Sequence, residues 1–372
     1  GFAPGWGFIF GDQADIRVPA VRNHWLTYDT TLNSFYTKTK LENLSLRANL
    51  EPVKNFKIEI TGTRNFTLNV NENYRYVAST DNFESLFRTE TGNFSISYLT
   101  WNTQFVKDAQ DYSNKNFQQF VANRQAISQY LASQNPHTSV SDTGYAGGYG
   151  ATQQQVLTYA FLSAYSGRQP SANLTKQFPS IPMPNWKITY DGLAKLPFFS
   201  KFLQALTISH GYRSVYTINS FTRNLLFKGD ENNNPIVRDT LTNFIPQYDI
   251  QQITIAEQLA PLIGFDMTWK NSLQTRFEIK KDRTLTLAYS NIQVTEVRGT
   301  DYTIGFGYKF KHVTLPIRLA NGKKLSNDMN FRVDVNLRDN RTILRRVIEG
   351  TNQPSAGTQT LGVKISLDYP VN

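Results

Sequence analysis

The feature that most constrains this chain is a period of two that runs through nearly all of it. Leu273, Thr275, Phe277 and Ile279 alternate with Gln274, Arg276, Glu278 and Lys280, giving an extended segment one apolar and one charged face. Beyond Lys281-Asp282 the alternation resumes with Leu285, Leu287 and Tyr289 against Thr284, Thr286 and Ser290, which reads as a hairpin. Tyr302, Ile304, Phe306, Tyr308 and Phe310 then alternate with Thr303, Gly305, Gly307 and Lys309. Phe331, Val333, Val335 and Leu337 do the same with Arg332, Asp334, Asn336 and Arg338, and Leu361, Val363, Ile365 and Leu367 with Gly362, Lys364, Ser366 and Asp368. Earlier runs follow the pattern: Leu44 to Leu50, Phe56 to Ile60, Phe66 to Val70, Phe94 to Tyr98, Trp186 to Tyr190 and Leu206 to Tyr212. Asn321-Gly322 and Asp339-Asn340 supply turn signals between strands.

One stretch breaks the rule. From Trp101 to Gly167 the alternation stops, and Phe117, Phe120, Val121, Arg124, Ile127 and Leu131 fall at helical spacing before Asn135-Pro136 ends the helix. A second helix is expected from Thr152 to Ser166, joined to the first by a Gly/Tyr connector, Gly144 to Gly150, that is expected to be flexible. The chain therefore divides into strands over 1–101, a partly helical insertion over 102–184 that narrows or caps a pore, and strands over 185–372. Leu193 to Phe202, with Pro197 inside it, reads as a short amphipathic elbow between two strands.

Alternation alone also suits a soluble sandwich, and composition bears on the choice. Hydrophobic residues make up only 40% of 372 residues, yet 25 Phe, 19 Tyr and 5 Trp bring aromatics to 13%. Mean hydropathy is −0.43. A wall with one face in water and the other in lipid accounts for both figures. Membrane strands need ~9 to 11 tilted residues whereas globular strands peak near ~5 to 6, and Leu206 to Ile218, Arg283 to Val297 and Thr300 to Phe310 all read as long. Tyr289, Tyr302, Phe310, Trp269, Trp186 and Tyr369 stand near strand ends, as the aromatic girdles of an outer-membrane barrel do. The fold class is thus all-β: a transmembrane antiparallel β-barrel segment, of about ten to fourteen strands on the ~10-residue unit. Lipid-facing candidates are Phe277, Ile279, Leu285, Leu287, Ile304, Phe306, Val333 and Val335; lumen-facing candidates are Arg276, Glu278, Lys280, Arg332, Asp334, Asn336 and Arg338. Because the chain starts at Gly1-Phe2-Ala3-Pro4 and stops just after a strand-like run, it reads as a fragment of something longer, with barrel closure supplied from outside it.

Other function classes find little support. Zero Cys removes thiolate metal sites, Cys nucleophiles and disulfides. The longest charge-free stretch, Thr143 to Gly167, is too polar for a spanning helix. The net charge of +10 is dispersed, with no basic run longer than a pair such as Lys323-Lys324, so nucleic acid is not an expected partner. His24, His137, His210 and His312 form no metal or catalytic motif, and no phosphate-binding loop is present; no enzyme activity and no cofactor are expected. Gly229 to Pro235 has alternating oxygen ligands but lacks the sixth-position Gly and twelfth-position Glu of a calcium loop, and reads as a hairpin tip.

Pro184-Asn185-Trp186-Lys187-Ile188-Thr189-Tyr190-Asp191-Gly192-Leu193, Leu206 to Arg213, Tyr289-Ser290-Asn291 and Asp301 to Tyr308 resemble the C-terminal part of the SprA/Sov family. Asn327 to Arg346 and Thr360 to Pro370 are similar to it as well, so the likeness covers most of the chain. That family comprises the giant outer-membrane translocons of type IX secretion in Bacteroidota. The resemblance implies a late segment of one very large barrel in the bacterial outer membrane, a passive conduit for already folded cargo. It further implies outer-membrane lipid, secreted cargo proteins, the shuttle barrel PorV and a periplasmic plug protein as partners. A solute porin or receptor-type barrel is the competing expectation, and an outer-membrane hydrolase a third.

Overall fold

The computed structural model describes residue 6 and residues 15–141, 144–168, 176–318 and 324–370, with the side chains of 315–318 and 324–325 left aside. Its centre is an antiparallel sheet of eleven strands. In chain order these are β1 (Tyr36–Val53), β2 (Phe56–Val77), β3 (Asn82–Ser97), β4 (Asn185–Tyr190), β5 (Leu203–Arg223), β6 (Tyr248–Ile250), β7 (Gln252–Trp269), β8 (Leu273–Ala288), β9 (Gln293–Arg318), β10 (Lys324–Arg346) and β11 (Thr351–Asp368). The helices are α1 (Arg17–Arg22), α2 (Trp101–Gln104), α3 (Lys115–Gln134) and α4 (Gln154–Ser166). Among the described residues no helix is long and apolar enough to cross a membrane.

The sheet is an up-and-down meander in the order β1-β2-β3-β5-β7-β8-β9-β10-β11, and β1 and β11 are its two edges. β4 fits this order in an unusual way. It pairs with β2 at Phe56 to Thr61 and with β5 at Ile208 to Tyr212, while β3 pairs with the same two strands farther along, at Arg64 to Val77 and Val215 to Thr222. β3 and β4 are therefore two halves of one strand line, cut between Ser97 and Asn185 to let the insertion out. The cut is stitched: Met183 N–H donates to the Ser97 carbonyl at 2.9 Å, and the Asn185 amide donates to Ser97 Oγ at 3.1 Å and accepts from Ser214 N–H at 2.8 Å.

Apart from the short β4 and β6, of 6 and 3 residues, the strands run from 16 residues in β3 and β8 to 26 in β9, about twice what a bilayer crossing needs. This length revises the turn reading. Lys281-Asp282 is not a hairpin, since β8 pairs with β9 without interruption from Leu273 to Ala288; Asp282 instead accepts from Arg338 at 3.2 Å. The chain reverses at 289–292, inside the segment Arg283 to Val297 that reads as one strand. Asp339-Asn340 likewise lies within β10, paired to Thr300 and Gly299 on one side and to Gln359 and Thr358 on the other. Asn321-Gly322 lies outside the described residues.

The insertion is a packed unit. Its helix α4 is buried on every side, with Val156, Leu157, Ala160 and Phe161 inaccessible, between α3 and the sheet. Gln153 caps its start by accepting from Gln155 and Val156 N–H, and Gly167 ends it in the left-handed conformation at φ 68°. Asn114 caps α3 by accepting from Asn116 N–H. The Gly/Tyr connector, expected to be flexible, is pinned instead. Tyr149 is buried with Ala132, Ala146, Val156 and Phe244, Gly148 adopts φ 85° where a Cβ would strike the Phe244 ring, and Gly150 N–H donates to Asn243 at 2.8 Å.

Candidate functional site

Because side chains alternate along each strand, the registers sort them onto two faces of the sheet. On one face stand Arg276, Glu278, Lys280, Arg332, Asp334, Asn336 and Arg338 together, and they form a ladder of paired charges. Arg276 Nη2 reaches Glu278 at 2.7 Å and Lys280 reaches the same carboxylate at 3.3 Å. Arg332 pairs with Asp334 at 2.8 Å, Asn336 donates to Thr303 at 3.0 Å, and Arg338 bridges Asp301 at 2.6 Å and Asp282 at 3.2 Å. Gly305 leaves room for this ladder, since a Cβ there would lie 2.4 Å from Asp334 Oδ1. Lys57, Glu59, Lys187 and Arg213 extend the polar face across β2, β4 and β5, where a cavity of about 260 Å³ opens beside the cut strand line.

The other face has two zones. The first is an apolar band that crosses every line of the sheet. It comprises Leu44, Leu46 and Leu50; Ile58 and Ile60; Trp186 and Ile188; Leu206 and Ile208; Ile263 and Phe265; Phe277 and Ile279; Ile304 and Phe306; Val333 and Val335; and Leu361 to Leu367. Much of it is open: Phe306 is 52% exposed and Ile365 66%. Aromatic rings flank it at both levels. Phe56 with Tyr190, Trp269, and Tyr308 with Phe310 stand at one end; Trp101, Trp186, Tyr212 and Tyr302 stand at the other. From Tyr302 to Phe310 the band runs roughly 26 Å along the strand at ~3.3 Å per residue, a height of about 20 Å at the tilt of a barrel strand.

The second zone begins where the insertion emerges. Here the same face carries Phe94, Ile96, Tyr216, Ile218, Ile253, Ile255, Leu285, Leu287 and Val294, all closed off by Phe117, Phe120, Leu157 and Phe161 of the insertion. Leu285 and Leu287, read as lipid-facing, are 0% exposed: parity put them on the apolar face, but α3 and α4 cover them. Tyr289, read as a girdle residue, is half-buried against the same cluster, its hydroxyl 2.6 Å from Thr158. The insertion lies against the apolar face and not over the polar one. The stripe of Phe117, Phe120 and Ile127 finds its apolar partners on that face, so the insertion buttresses the sheet on its apolar side.

Between the zones runs a seam of buried charge that the sequence reading missed. Arg283 and Glu257, with side chains fully buried, pair at 2.8 Å; Glu257 also accepts from Thr100 at 2.7 Å and Tyr212 at 2.9 Å, and Arg283 donates to the Thr103 carbonyl and hydroxyl. Farther along, Arg345 reaches Glu296 at 2.7 Å, Asp108 at 2.8 Å and the Tyr112 carbonyl at 2.7 Å, while Arg298 donates to the Val106 carbonyl and Arg341 to Asp108. Burial pushes the Asp108 carboxyl up, but Arg298, Asn114 and Arg345 outweigh it and hold it below the usual carboxylate range. A signal existed. Glu257, Arg283, Glu296, Arg298 and Arg345 all sit on the apolar parity of their strands, where charge is costly unless paired.

The histidines and the acidic loop take structural places. His210 Nδ1–H donates to the Leu262 carbonyl at 2.7 Å and its ring meets Trp101 edge-on. His137 lies 3.1 Å from Asp230, whose carboxylate otherwise accepts from Asn232 and Asn234 in a local turn. Among the described residues no group of three or more His, Cys, Asp or Glu could hold a metal ion. The chain matches no family profile and none of the curated proteins.

Proposed function

We propose that this chain is a wall segment of a bacterial outer-membrane channel that conducts folded proteins, the role implied by its resemblance to the SprA/Sov translocons. One observation carries the reading: an apolar band about 20 Å tall at barrel tilt, flanked by aromatics, backed across the whole sheet by a polar face of paired charges. A membrane barrel needs this combination, because its outside meets hydrocarbon over a comparable height while its inside meets water. The 18-residue edges β1 and β11 support a large wall. A long edge with Leu361, Val363, Ile365 and Leu367 open is a template for pairing, and further strands satisfy it.

In this reading the band meets outer-membrane lipid and the ladder of Arg276, Glu278, Lys280, Arg332, Asp334, Asn336 and Arg338 gives secreted cargo a wet path. The insertion stands outside the wall, beyond the bilayer, as a surface on which a partner such as PorV can dock; a periplasmic plug closes the opposite mouth. The two longest excursions, the insertion and the loop at 224–247, lie at one end of the sheet together with the four-residue turns 78–81, 289–292 and 347–350, and the other end carries 54–55, 270–272 and the elbow at 191–202. Outer-membrane barrels carry long loops outside and short turns in the periplasm, which orients the insertion toward the cell exterior. Imaging the full-length protein in a lipid nanodisc tests the proposal. A lumen that admits a folded domain, whose radius of gyration is ~13 Å for 100 residues, is the expected result; a narrow solute pore in the same wall contradicts it.

A further inference from the structure

The elbow between β4 and β5 ends in a cluster of apolar side chains that nothing among the described residues covers. Its two short 3-10 turns, Leu193–Lys195 and Phe199–Lys201, bracket Pro197. Leu196 is 46%, Phe198 69% and Phe202 56% exposed, and the rings of Phe198, Phe199 and Phe202 pack on one another at 5.3 and 6.3 Å. Phe199 and Leu193 face the other way and join the cluster of Leu203, Leu206, Phe265, Met267 and Trp269. Those are the last residues of the apolar band on β5 and β7, so the elbow continues the band at its short-turn end.

Charge in the elbow and in the two turns tied to it leans positive: Lys54, Lys195, Lys201 and Lys270 against Glu51 and Asp191. Glu51 accepts the Asn55 N–H at 2.9 Å, and Lys195 donates to the Asn55 side chain at 2.7 Å, which ties the elbow to the β1–β2 turn. Lys270 N–H donates to the Phe202 carbonyl at 3.0 Å and ties it to the β7–β8 turn. Held at both sides, the elbow presents exposed phenyl rings on a lysine-bearing segment, at the end of the apolar band.

We infer that this elbow is an interfacial anchor, dipping Leu196, Phe198 and Phe202 into the glycerophospholipid of the periplasmic leaflet while the lysines of the elbow and its tied turns engage headgroup phosphates. The inference rests on the membrane reading of the band and adds a lipid-binding element that alternation of strands does not provide. Apolar rings with flanking cations are what an in-plane amphipathic segment uses to sit in the headgroup boundary, the lysine stems lying along apolar surface. The source is the periplasmic leaflet because the elbow lies at the short-turn end of the sheet.

The absence of Cys makes the test direct, because any introduced Cys is unique in this sequence. Single variants Phe198→Cys, Phe202→Cys, Ile365→Cys and Leu226→Cys, each labelled with an environment-sensitive fluorophore, are reconstituted as the full chain in phosphatidylethanolamine–phosphatidylglycerol vesicles. The labels at 198 and 202 should shift to the blue and be quenched by lipids with a shallow spin label. The label at 365 should be quenched by a deep one, and that at 226, at the far end of the sheet, by aqueous iodide alone. Aqueous quenching at 198 and 202 with lipid quenching at 365 overturns the anchor and leaves the membrane wall standing. Aqueous quenching at 365 as well overturns both. Labels that are aqueous in vesicles but shielded in whole cells assign the elbow to a periplasmic protein and also overturn the anchor.

Discussion

The two zones of the apolar face are built from the same strands with the same alternation, and they differ in what lies on top. Around Leu285 and Phe94 the chain supplies its own cover, the helices α3 and α4, and a seam of charge locks that cover down. Around Ile304 and Ile365 the described residues supply none, and the side chains are 43% and 66% exposed. The boundary coincides with the cut in the strand line between Ser97 and Asn185. In the proposed membrane wall, strands about twice as long as a bilayer crossing have a simple use: one half for lipid, one half for a packed extramembrane platform.

The covered zone should be the more fragile to loss of charge. Arg283→Leu leaves Glu257 buried with only Thr100 and Tyr212 as partners, and removing one member of a buried pair costs about 3–5 kcal/mol. Hydrogen exchange should show α3 and α4 losing protection while amides of β9 to β11 keep theirs. Equal loss across both zones would mean that the insertion and the wall fold as one unit. In the open zone the response should invert. Val333→Arg, in the middle of the band between Phe306 and Ile365, should cost ~2–4 kcal/mol in a bilayer. Asn336→Arg, three residues along on the polar face, should be nearly neutral in the same unfolding titration. A milder pair sharpens the packing side: Ile127→Val, fully buried within the insertion, should cost roughly 0.5–1.5 kcal/mol, whereas Val363→Ala on the open edge should leave unfolding in detergent unchanged.

The smallest effect is one of pH. The folded state holds the Asp108 carboxyl below its usual range, so its contribution to docking is present above the unfolded value near ~3.9 and is lost as pH falls through the lower folded value. Proteolysis of the insertion should therefore quicken only below about pH 4, and Asp108→Asn should abolish that acid step. An unchanged step in the variant would assign it elsewhere.

Much of the sheet was legible because period two is local. Arg276, Glu278 and Lys280 share a face by counting alone, and the same counting places Phe277 and Ile279 opposite. Which half of a face is open is not local. Nothing near Leu285 in sequence says that Phe161 will lie over it, and nothing near Asp108 points to Arg345. The turn rules failed for a related reason. Asp282 and Asn340 are polar because both accept from Arg338 on the wet face, so residues typical of reversals occur in mid-strand. The clue passed over was the set of charges on the apolar parity, Glu257, Arg283, Glu296 and Arg345, which marks on four successive strands where lipid cannot reach.

The central claim, that one half of one face meets hydrocarbon, is tested most directly by a single-Cys scan along β10 from Phe331 to Arg345 in the reconstituted chain. Each Cys is offered a lipid-phase and an aqueous maleimide. Positions 331, 333, 335 and 337 should react from the lipid phase, 332, 334, 336 and 338 from water, and 343 and 345 from neither, because the insertion covers them. Equal aqueous labelling of odd and even positions from 331 to 338 would contradict the account.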